Sequence, residues 1–187
     1  MGAISKPVGL IQGKRMILRE ITPEDVTDRY VSWMNDPEVV QFLETRFQAY
    51  TKETLLDYVE EKLSDNHSAF LGMILHNGKR HIGNIKLGPI NWIHSVGSIG
   101  IMIGEKDSFG KGYATEAIGL VIDYAFGRLS LHKLTAGCYD RNRGALRAFE
   151  KNGFVIEGVR KQHVSCCGEF IDVIELGLIN SRYRDNE

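Results

Sequence analysis

The chain has 187 residues, 43% of them hydrophobic and 25% charged, and a formal net charge of −1. These values are typical of one globular domain, and a near-neutral chain lacks the positive charge that a nucleic-acid-binding protein needs. No apolar run approaches the roughly 20 residues that cross a membrane, and residues 1–14 lack the apolar core of a secretory signal. The three cysteines, Cys138, Cys166 and Cys167, fit neither a disulfide framework nor a zinc pattern. We therefore expect a cytoplasmic protein without a nucleic-acid or membrane partner.

Hydrophobic periodicity and turn signals divide the chain, after a loose tail at 1–13, into about seven strands and four helices. The predicted strands are 16–21, 69–76, 80–87, 99–103, 133–139, 155–163 and 170–179. The predicted helices are 22–35, 51–63, 115–129 and 142–152, with loops at 35–50 and 88–96. Thr22-Pro23-Glu24-Asp25 is typical of a helix start, and Asn77-Gly78 is typical of a hairpin turn. This order predicts a mixed sheet flanked by helices.

A glycine loop between the predicted strand 99–103 and the following helix is the main functional signal. A helix N-terminus preceded by Gly110 and Gly112 directs several backbone N–H groups at one place, which predicts an anion site, most simply for a pyrophosphate. The pattern is not a Walker loop, because Lys111 is followed by glycine rather than serine or threonine. It is not a dinucleotide fingerprint either, because Thr115 stands where the third glycine belongs.

The loop belongs to a longer stretch, Phe-Gly-Lys-Gly-Tyr-Ala-Thr-Glu-Ala at 109–117, which resembles the acetyl-CoA pyrophosphate loop of the GNAT N-acetyltransferases. The branch that contains the ribosomal-protein N-terminal (Rim-type) acetyltransferases is the most similar. A second stretch, 142–154, resembles the Asn-x-x-Ser and Glu-Lys-x-Gly-Phe helix of that branch. The resemblance extends from about residue 14 to 179 and implies one α+β domain over 1–187. It also implies acetyl-CoA as co-substrate, an amine acceptor and no metal.

The resemblance implies that acetyl-CoA is bound mainly through backbone groups. The pantetheine arm would pair with the strand before the loop, the pyrophosphate would accept hydrogen bonds from the loop, and Asn142 would contact the arm. From the residues alone, Asn142 is also the expected N-cap of its helix, and Phe149 is expected in the core. The predicted cofactor-binding residues are Ile101, Met102, Ile103, Phe109, Gly110, Lys111, Gly112, Tyr113, Ala114, Thr115, Asn142, Phe149 and Lys151.

The catalytic groups are predicted less sharply, because the sequence departs from the family pattern at two positions. Ser98 stands where a general-base Glu is common, and Phe149 where many members have a Tyr that protonates the thiolate. Cys138 is discounted as a nucleophile, since a cysteine inside a strand is usually an inert apolar residue. The candidate acid–base residues are Glu105 and Tyr139, with His81, His94 and deprotonation through water as alternatives.

The acceptor is expected to be an amino sugar or another small amine. A protein or peptide N-terminus is the first alternative, and a non-catalytic acyl-CoA-binding module is the second. The resemblance implies that segment 35–50 lines the acceptor side, although its residues equally fit a solvated connection. Among the candidate residues, the pair of Lys86 and Arg46 would suit a phosphate or carboxylate of the acceptor. The candidate acceptor-binding residues are Glu44, Arg46, Asn84 and Lys86. The family can also form homodimers through an edge strand, and 170–179 is the candidate edge.

Overall fold

Eight β-strands and five α-helices make up the part of the chain that the computed structural model describes, residues 3–4 and 8–181. The strands are β1 (Ile11–Gln12), β2 (Met16–Glu20), β3 (Ala69–Leu75), β4 (His81–Asn91), β5 (Val96–Ile103), β6 (Lys133–Tyr139), β7 (Val155–Cys166) and β8 (Glu169–Ile179). The helices are α1 (Asp28–Met34), α2 (Pro37–Val40), α3 (Lys52–Ser64), α4 (Tyr113–Asp123) and α5 (Arg143–Glu150).

All of these strands form one mixed sheet in the order β1-β2-β3-β4-β5-β6-β8-β7. Neighbouring strands are antiparallel, except that β5 and β6 are parallel. The predicted α+β fold with a mixed central sheet is therefore confirmed. The eighth strand is the two-residue β1, which lies in the segment that was expected to be a loose tail.

The two faces of the sheet carry different helices. On one face, α4 and α5 bury Ile118 and Leu146 in a core that includes Leu71 of β3. On the other face, α1 and α3 bury side chains such as Trp33 in a second core with Phe70. Leu71 and Phe70 are consecutive residues that point to opposite faces, as the period of two in a strand requires. Within 3–4 and 8–181, no helix is long and apolar enough to cross a membrane.

The prediction that the first helix begins at Thr22 is wrong. Pro23–Asp25 is a 3₁₀ turn, and α1 begins only at Asp28. The Asp25 carboxylate accepts two hydrogen bonds of 2.6 Å from the guanidinium of Arg19 on β2, and a third of 2.8 Å from the N–H of Thr22. These bonds hold the first turn against the sheet, so the chain must change direction before the helix continues.

Three further predictions about the fold are corrected. The loop expected at 88–96 is shorter, because β4 continues to Asn91 through an irregularity between Leu87 and Ile90. Segment 35–50 contains α2 and the 3₁₀ turn Glu44–Phe47 rather than only irregular chain. Segment 170–179 is not an edge, because β8 lies between β6 and β7. Among the described strands, β7 forms the edge on that side of the sheet.

Candidate active site

The glycine loop adopts a backbone conformation that residues with a Cβ rarely take. Gly110 has φ = +70° and Gly112 has φ = +77°. Gly112 is the N-cap of α4, and no side chain in the described part of the chain caps this helix end. The N–H groups of the first turn of α4 are therefore directed at solvent, which makes the loop suited to an anion.

Arg15, the residue just before β2, holds this loop on the side of its carbonyl oxygens. Its guanidinium donates to the carbonyl oxygens of Lys111 at 2.8 Å and Gly112 at 3.0 Å. Its Nε also bonds to Glu116 Oε2 at 2.6 Å, and its Cζ lies 4.5 Å from the centre of the Tyr113 ring. In a trans peptide the C=O and N–H bonds point in opposite directions. Because the carbonyl oxygens of this loop face Arg15, the N–H groups of the same peptides face away from it. Sequence reasoning missed Arg15, since no local pattern links it to a loop so far along the chain.

A large cleft of about 480 Å³ begins where β5 leaves β6. The parallel ladder between these strands ends at the pair Ser98 and Thr135. The remainder of β5 pairs with β4 on one side and, among the residues that the structure describes, with no strand on the other. An extended ligand could pair with this backbone as an added strand. The predicted residues that line the cleft are Ile101, Met102, Ile103, Phe109, Gly110, Gly112, Tyr113, Ala114, Thr115, Asn142 and Lys151.

Two predicted cofactor residues do not line the cleft. Lys111 has an exposed side chain, and only its carbonyl has a clear structural role, as an acceptor for Arg15. Phe149 is 2% exposed and packs on Phe154, with 5.1 Å between the ring centres. Its side chain is part of the core, as its apolar character alone predicted. Asn142 lines the cleft and also caps α5, since its Oδ1 accepts from the N–H of Ala145 at 3.1 Å.

A small cavity of about 170 Å³ lies beside the large cleft, between α1, α3 and the sheet. Its lining residues are Tyr30, Met34, Leu43, Thr45, Tyr50, Tyr58, Phe70, Asn84, Lys86, Gly100, Ile101 and Met102. Leu43, Ile101 and Met102 line both spaces, so the cleft and the cavity meet at the separating end of β5. Most of its wall is apolar, and no carboxylate or histidine of residues 3–4 and 8–181 lines it.

Of the four predicted acceptor residues, Asn84 and Lys86 line the small cavity and the other two do not. Arg46 donates to the carbonyls of Leu43 at 2.6 Å and Ser165 at 2.7 Å, and to the Tyr139 hydroxyl at 2.7 Å. Its side chain is thereby committed to holding segment 35–50 against the tip of the β7–β8 hairpin. The exposed Glu44 accepts a hydrogen bond from the hydroxyl of Tyr139.

The predicted acid–base residues also lie outside both spaces. Glu105 Oε1 accepts from Trp33 Nε1 at 3.0 Å and lies 3.3 Å from Arg29 Nε, and Arg80 contacts its other oxygen. Tyr139 is buried, and burial raises the pKa of its hydroxyl, which Glu44 raises further. His94 lies in the exposed turn after β4. The structure thus places Glu105 in an ion-pair cluster and Tyr139 in a packing contact.

Two buried groups near the site have shifted pKa values. Burial raises the pKa of the Cys138 thiol to about 11, which suits an inert strand residue rather than a nucleophile. Burial lowers the pKa of His81, whose Nε2 lies 2.8 Å from Asn84 Oδ1 and 3.0 Å from the Gly83 carbonyl oxygen. Because a carbonyl can only accept, Nε2 of the neutral ring carries the hydrogen. His81 therefore orients Asn84 and does not itself line either space.

The fold, the glycine loop and the separating strands define an acyl-CoA-dependent transferase, and comparisons with known proteins agree. Residues 15–155 match the family described as acetyltransferase (GNAT) domain. Over 178 residues the chain is 30% identical to the probable N-acetyltransferase YjcK of Bacillus subtilis. The aligned region covers 91% of this chain and 97% of YjcK. The chain therefore belongs to the GNAT family and is an N-acetyltransferase, as the sequence predicted.

Two solved structures have the same fold. Spermidine N-acetyltransferase from Vibrio cholerae, in complex with CoA and spermine, has a TM-score of 0.80 at 25% identity, covering 91% of this chain and 99% of that one. Ribosomal-protein-S5-alanine acetyltransferase from Vibrio fischeri has a TM-score of 0.81 at 21% identity, covering 94% and 99%. In the described part of this chain, no group of three or more His, Cys, Asp or Glu side chains is placed to hold a metal ion.

Proposed function

We propose that this enzyme transfers the acetyl group of acetyl-CoA to the primary amine of a small molecule that binds in the small cavity. One observation supports this most directly. The large cleft and the small cavity meet at Ile101, Met102 and Leu43, where β5 has lost its pairing with β6. A thioester in the cleft and an amine in the cavity would come together at that point.

The residues of the cleft fit acetyl-CoA. The free side of β5 offers backbone groups in an extended row, which match the amide groups of a pantetheine arm. The loop with left-handed Gly110 and Gly112 offers N–H groups to a pyrophosphate. Asn142, Ala145 and Lys151 line the opposite wall, at the start and end of α5.

Acetyl transfer itself requires position more than a dedicated base. The neutral amine attacks the thioester carbonyl, the C–N bond forms, and the C–S bond breaks to release the thiolate. A proton leaves the amine and one reaches the thiolate, and water can carry both. Because no carboxylate or histidine of the described chain lines the small cavity, we favour water over Glu105, Tyr139, His81 and His94. Holding both reactants in a near-attack geometry then supplies most of the acceleration.

A small amine with an apolar body fits the cavity better than the polyamine named for the Vibrio cholerae relative. A polyamine carries several positive charges, which carboxylates would have to offset. The described cavity wall has none and contributes Lys86 instead. A peptide N-terminus remains the alternative acceptor and belongs in the same test.

The test is thiol release from acetyl-CoA against a panel of amino sugars, other small amines and N-terminal peptides. Gly100 offers a sharp variant. It pairs with Lys86 on the cavity face of the sheet, and a Cβ there meets nothing within 4 Å. We expect Gly100→Val to fill the cavity and raise the acceptor KM by about tenfold or more, while the Kd for acetyl-CoA stays unchanged.

The matched control is Gly158→Val, another strand glycine with open space around its Cβ, on β7 and outside both spaces. It should leave the acceptor KM and the acetyl-CoA Kd as they are. Binding of acetyl-CoA without thiol release on any amine would overturn the proposal. An unchanged acceptor KM in Gly100→Val would place the acceptor elsewhere.

A further inference from the structure

Two buried polar groups of the small cavity have no hydrogen-bond partner among the residues that the structure describes. They are the amide nitrogen of Asn84, a residue that is 4% exposed, and the hydroxyl of Thr45. A buried donor without a partner costs about 1–3 kcal/mol, so such groups usually meet a ligand or water. Both belong to residues that line the cavity.

The orientation of Asn84 follows from its neighbour His81. The Nε2–H of His81 is directed at the Gly83 carbonyl oxygen and at the side-chain oxygen of Asn84. The oxygen of the amide is thus used, and its NH₂ group is the free end. Asn84 lines the cavity and its NH₂ donors have no partner among the described residues, so their natural partner is an oxygen atom of a ligand.

Lys86 adds a positive charge to the same wall. It stands two residues after Asn84 on the same face of β4, roughly 7 Å further along the strand. It is half-buried, and among residues 3–4 and 8–181 no carboxylate lies within ion-pair distance of its amine. Burial lowers its pKa and nearby Lys62 lowers it further, against weaker opposing effects from Asp65 and Glu61. A partly desolvated cation of this kind is stabilised when an anion binds beside it.

We propose that the acceptor is a primary amine that also carries an oxyanion, with Lys86 and Asn84 binding its oxygens and the aromatic wall contacting its apolar body. This inference rests on the proposed function and narrows it. The chemistry fits a carboxylate, as in an apolar α-amino acid, and the same two residues would also donate hydrogen bonds to a phosphate. Tyr30, Tyr58 and Phe70 favour the apolar carboxylate over a sugar phosphate.

The experiment compares matched acceptors with and without the oxyanion, and kcat/KM is calculated for the neutral amine because the oxyanion also changes the pKa of the amine. Phenylalanine is set against phenethylamine and phenylalaninamide, and glucosamine 6-phosphate against glucosamine, with thiol release as the readout. We expect kcat/KM to be about tenfold or more higher for the member with the oxyanion. A preference in the phosphate pair alone would identify phosphate as the oxyanion. Equal or faster turnover of the members that lack the oxyanion, or of spermidine, would overturn the inference.

The variant Lys86→Met tests the residue itself. The preference for the oxyanion should fall toward one, Lys86→Arg should restore part of it, and the Kd for acetyl-CoA should not move. Lys133→Met is the matched control, because Lys133 is a strand lysine that is paired with Glu157 and lines neither the cleft nor the cavity. A preference that survives in Lys86→Met would contradict the assignment.

A binding readout separates this inference from the proposed function. Calorimetry with the CoA-bound protein measures the Kd of phenylalanine directly, whether or not transfer occurs. Binding that Lys86→Met weakens about tenfold, without thiol release on any amine, would refute the proposed transfer to a small amine in the cavity and retain the oxyanion site. Transfer of acetyl to amines, with equal phenylalanine binding by Lys86→Met and the unmodified protein, would support the proposed function and refute the oxyanion site.

Discussion

The left-handed conformation of Gly112 makes a quantitative prediction about acetyl-CoA binding. At φ = +77° a residue with a Cβ is strained by roughly 1–2 kcal/mol. The Cβ itself would lie 3.7 Å from Arg15 Nη2, an ordinary contact, so the strain is torsional rather than a collision. In the free protein the loop can relax by rotating the peptide, but the bound state requires the original geometry. The torsional strain is then present only in the bound state, and it reduces the binding free energy by the same amount.

Because 1.4 kcal/mol corresponds to a tenfold change, Gly112→Ala should weaken acetyl-CoA binding by about 5- to 30-fold. Gly112→Val should weaken it further, since a β-branched side chain is least tolerated at positive φ. Calorimetry of acetyl-CoA binding measures both. Gly110→Ala should behave like Gly112→Ala, because Gly110 has φ = +70° and open space for a Cβ.

The control is Gly127→Ala. Gly127 lies in the π turn Tyr124–Arg128, its φ is ordinary, and a Cβ there meets nothing within 4 Å. It should leave the Kd unchanged and keep or raise stability. Unaltered affinity in both Gly112 variants would show that the loop does not bind the pyrophosphate. An equal loss in Gly127→Ala would show that the effect is global.

Three further predictions concern residues around the site. Arg15→Gln should weaken acetyl-CoA binding by about tenfold, measured by calorimetry, because the loop loses its carbonyl contacts with the guanidinium. It should lower the unfolding free energy by only about 1 kcal/mol, measured by urea denaturation, because the exposed ion pair with Glu116 contributes little. Asn142→Ala should destabilise the protein by about 0.5–2 kcal/mol through the lost cap of α5, and unchanged stability would contradict that role. Burial alone would raise the pKa of Asp25, but the hydrogen bonds from Arg19 and a backbone N–H outweigh it and lower the pKa. Its stabilising effect is therefore complete above the unfolded pKa near 4 and lost as pH falls through the folded pKa, so Asp25→Asn should lower stability at pH 7 and flatten its decline in acid.

The sequence predicted best where one local rule decides the structure. The strand predicted at 133–139 has the same bounds as β6, and the helix start that follows it at Asp140-Arg141-Asn142 marks its end. Asn84 and Lys86 lie on one face of β4, and the period of two in a strand is enough to derive this from the sequence. The start of α1 was wrong because Asp25 binds Arg19 on a neighbouring strand, and a helix-start signal contains no information about that partner. Arg15 was missed for the same reason, since its partner Glu116 is 101 positions away.

The two halves of the site differ in how far sequence can reveal them, and their chemistry explains the difference. The large cleft uses backbone groups, so its demand on sequence is concentrated in glycines that allow positive φ, and these stand in one short stretch. The small cavity uses side chains from α1, α3, β3, β4 and β5, which are brought together only by the complete sheet. From the sequence, Glu44 and Arg46 are as suitable for binding the acceptor as Asn84 and Lys86. In the structure, Arg46 instead contacts the β7–β8 hairpin and Glu44 contacts Tyr139 at the end of β6. A motif can therefore identify the acetyl donor of such an enzyme, whereas the acceptor has to be inferred from the walls of the folded cavity.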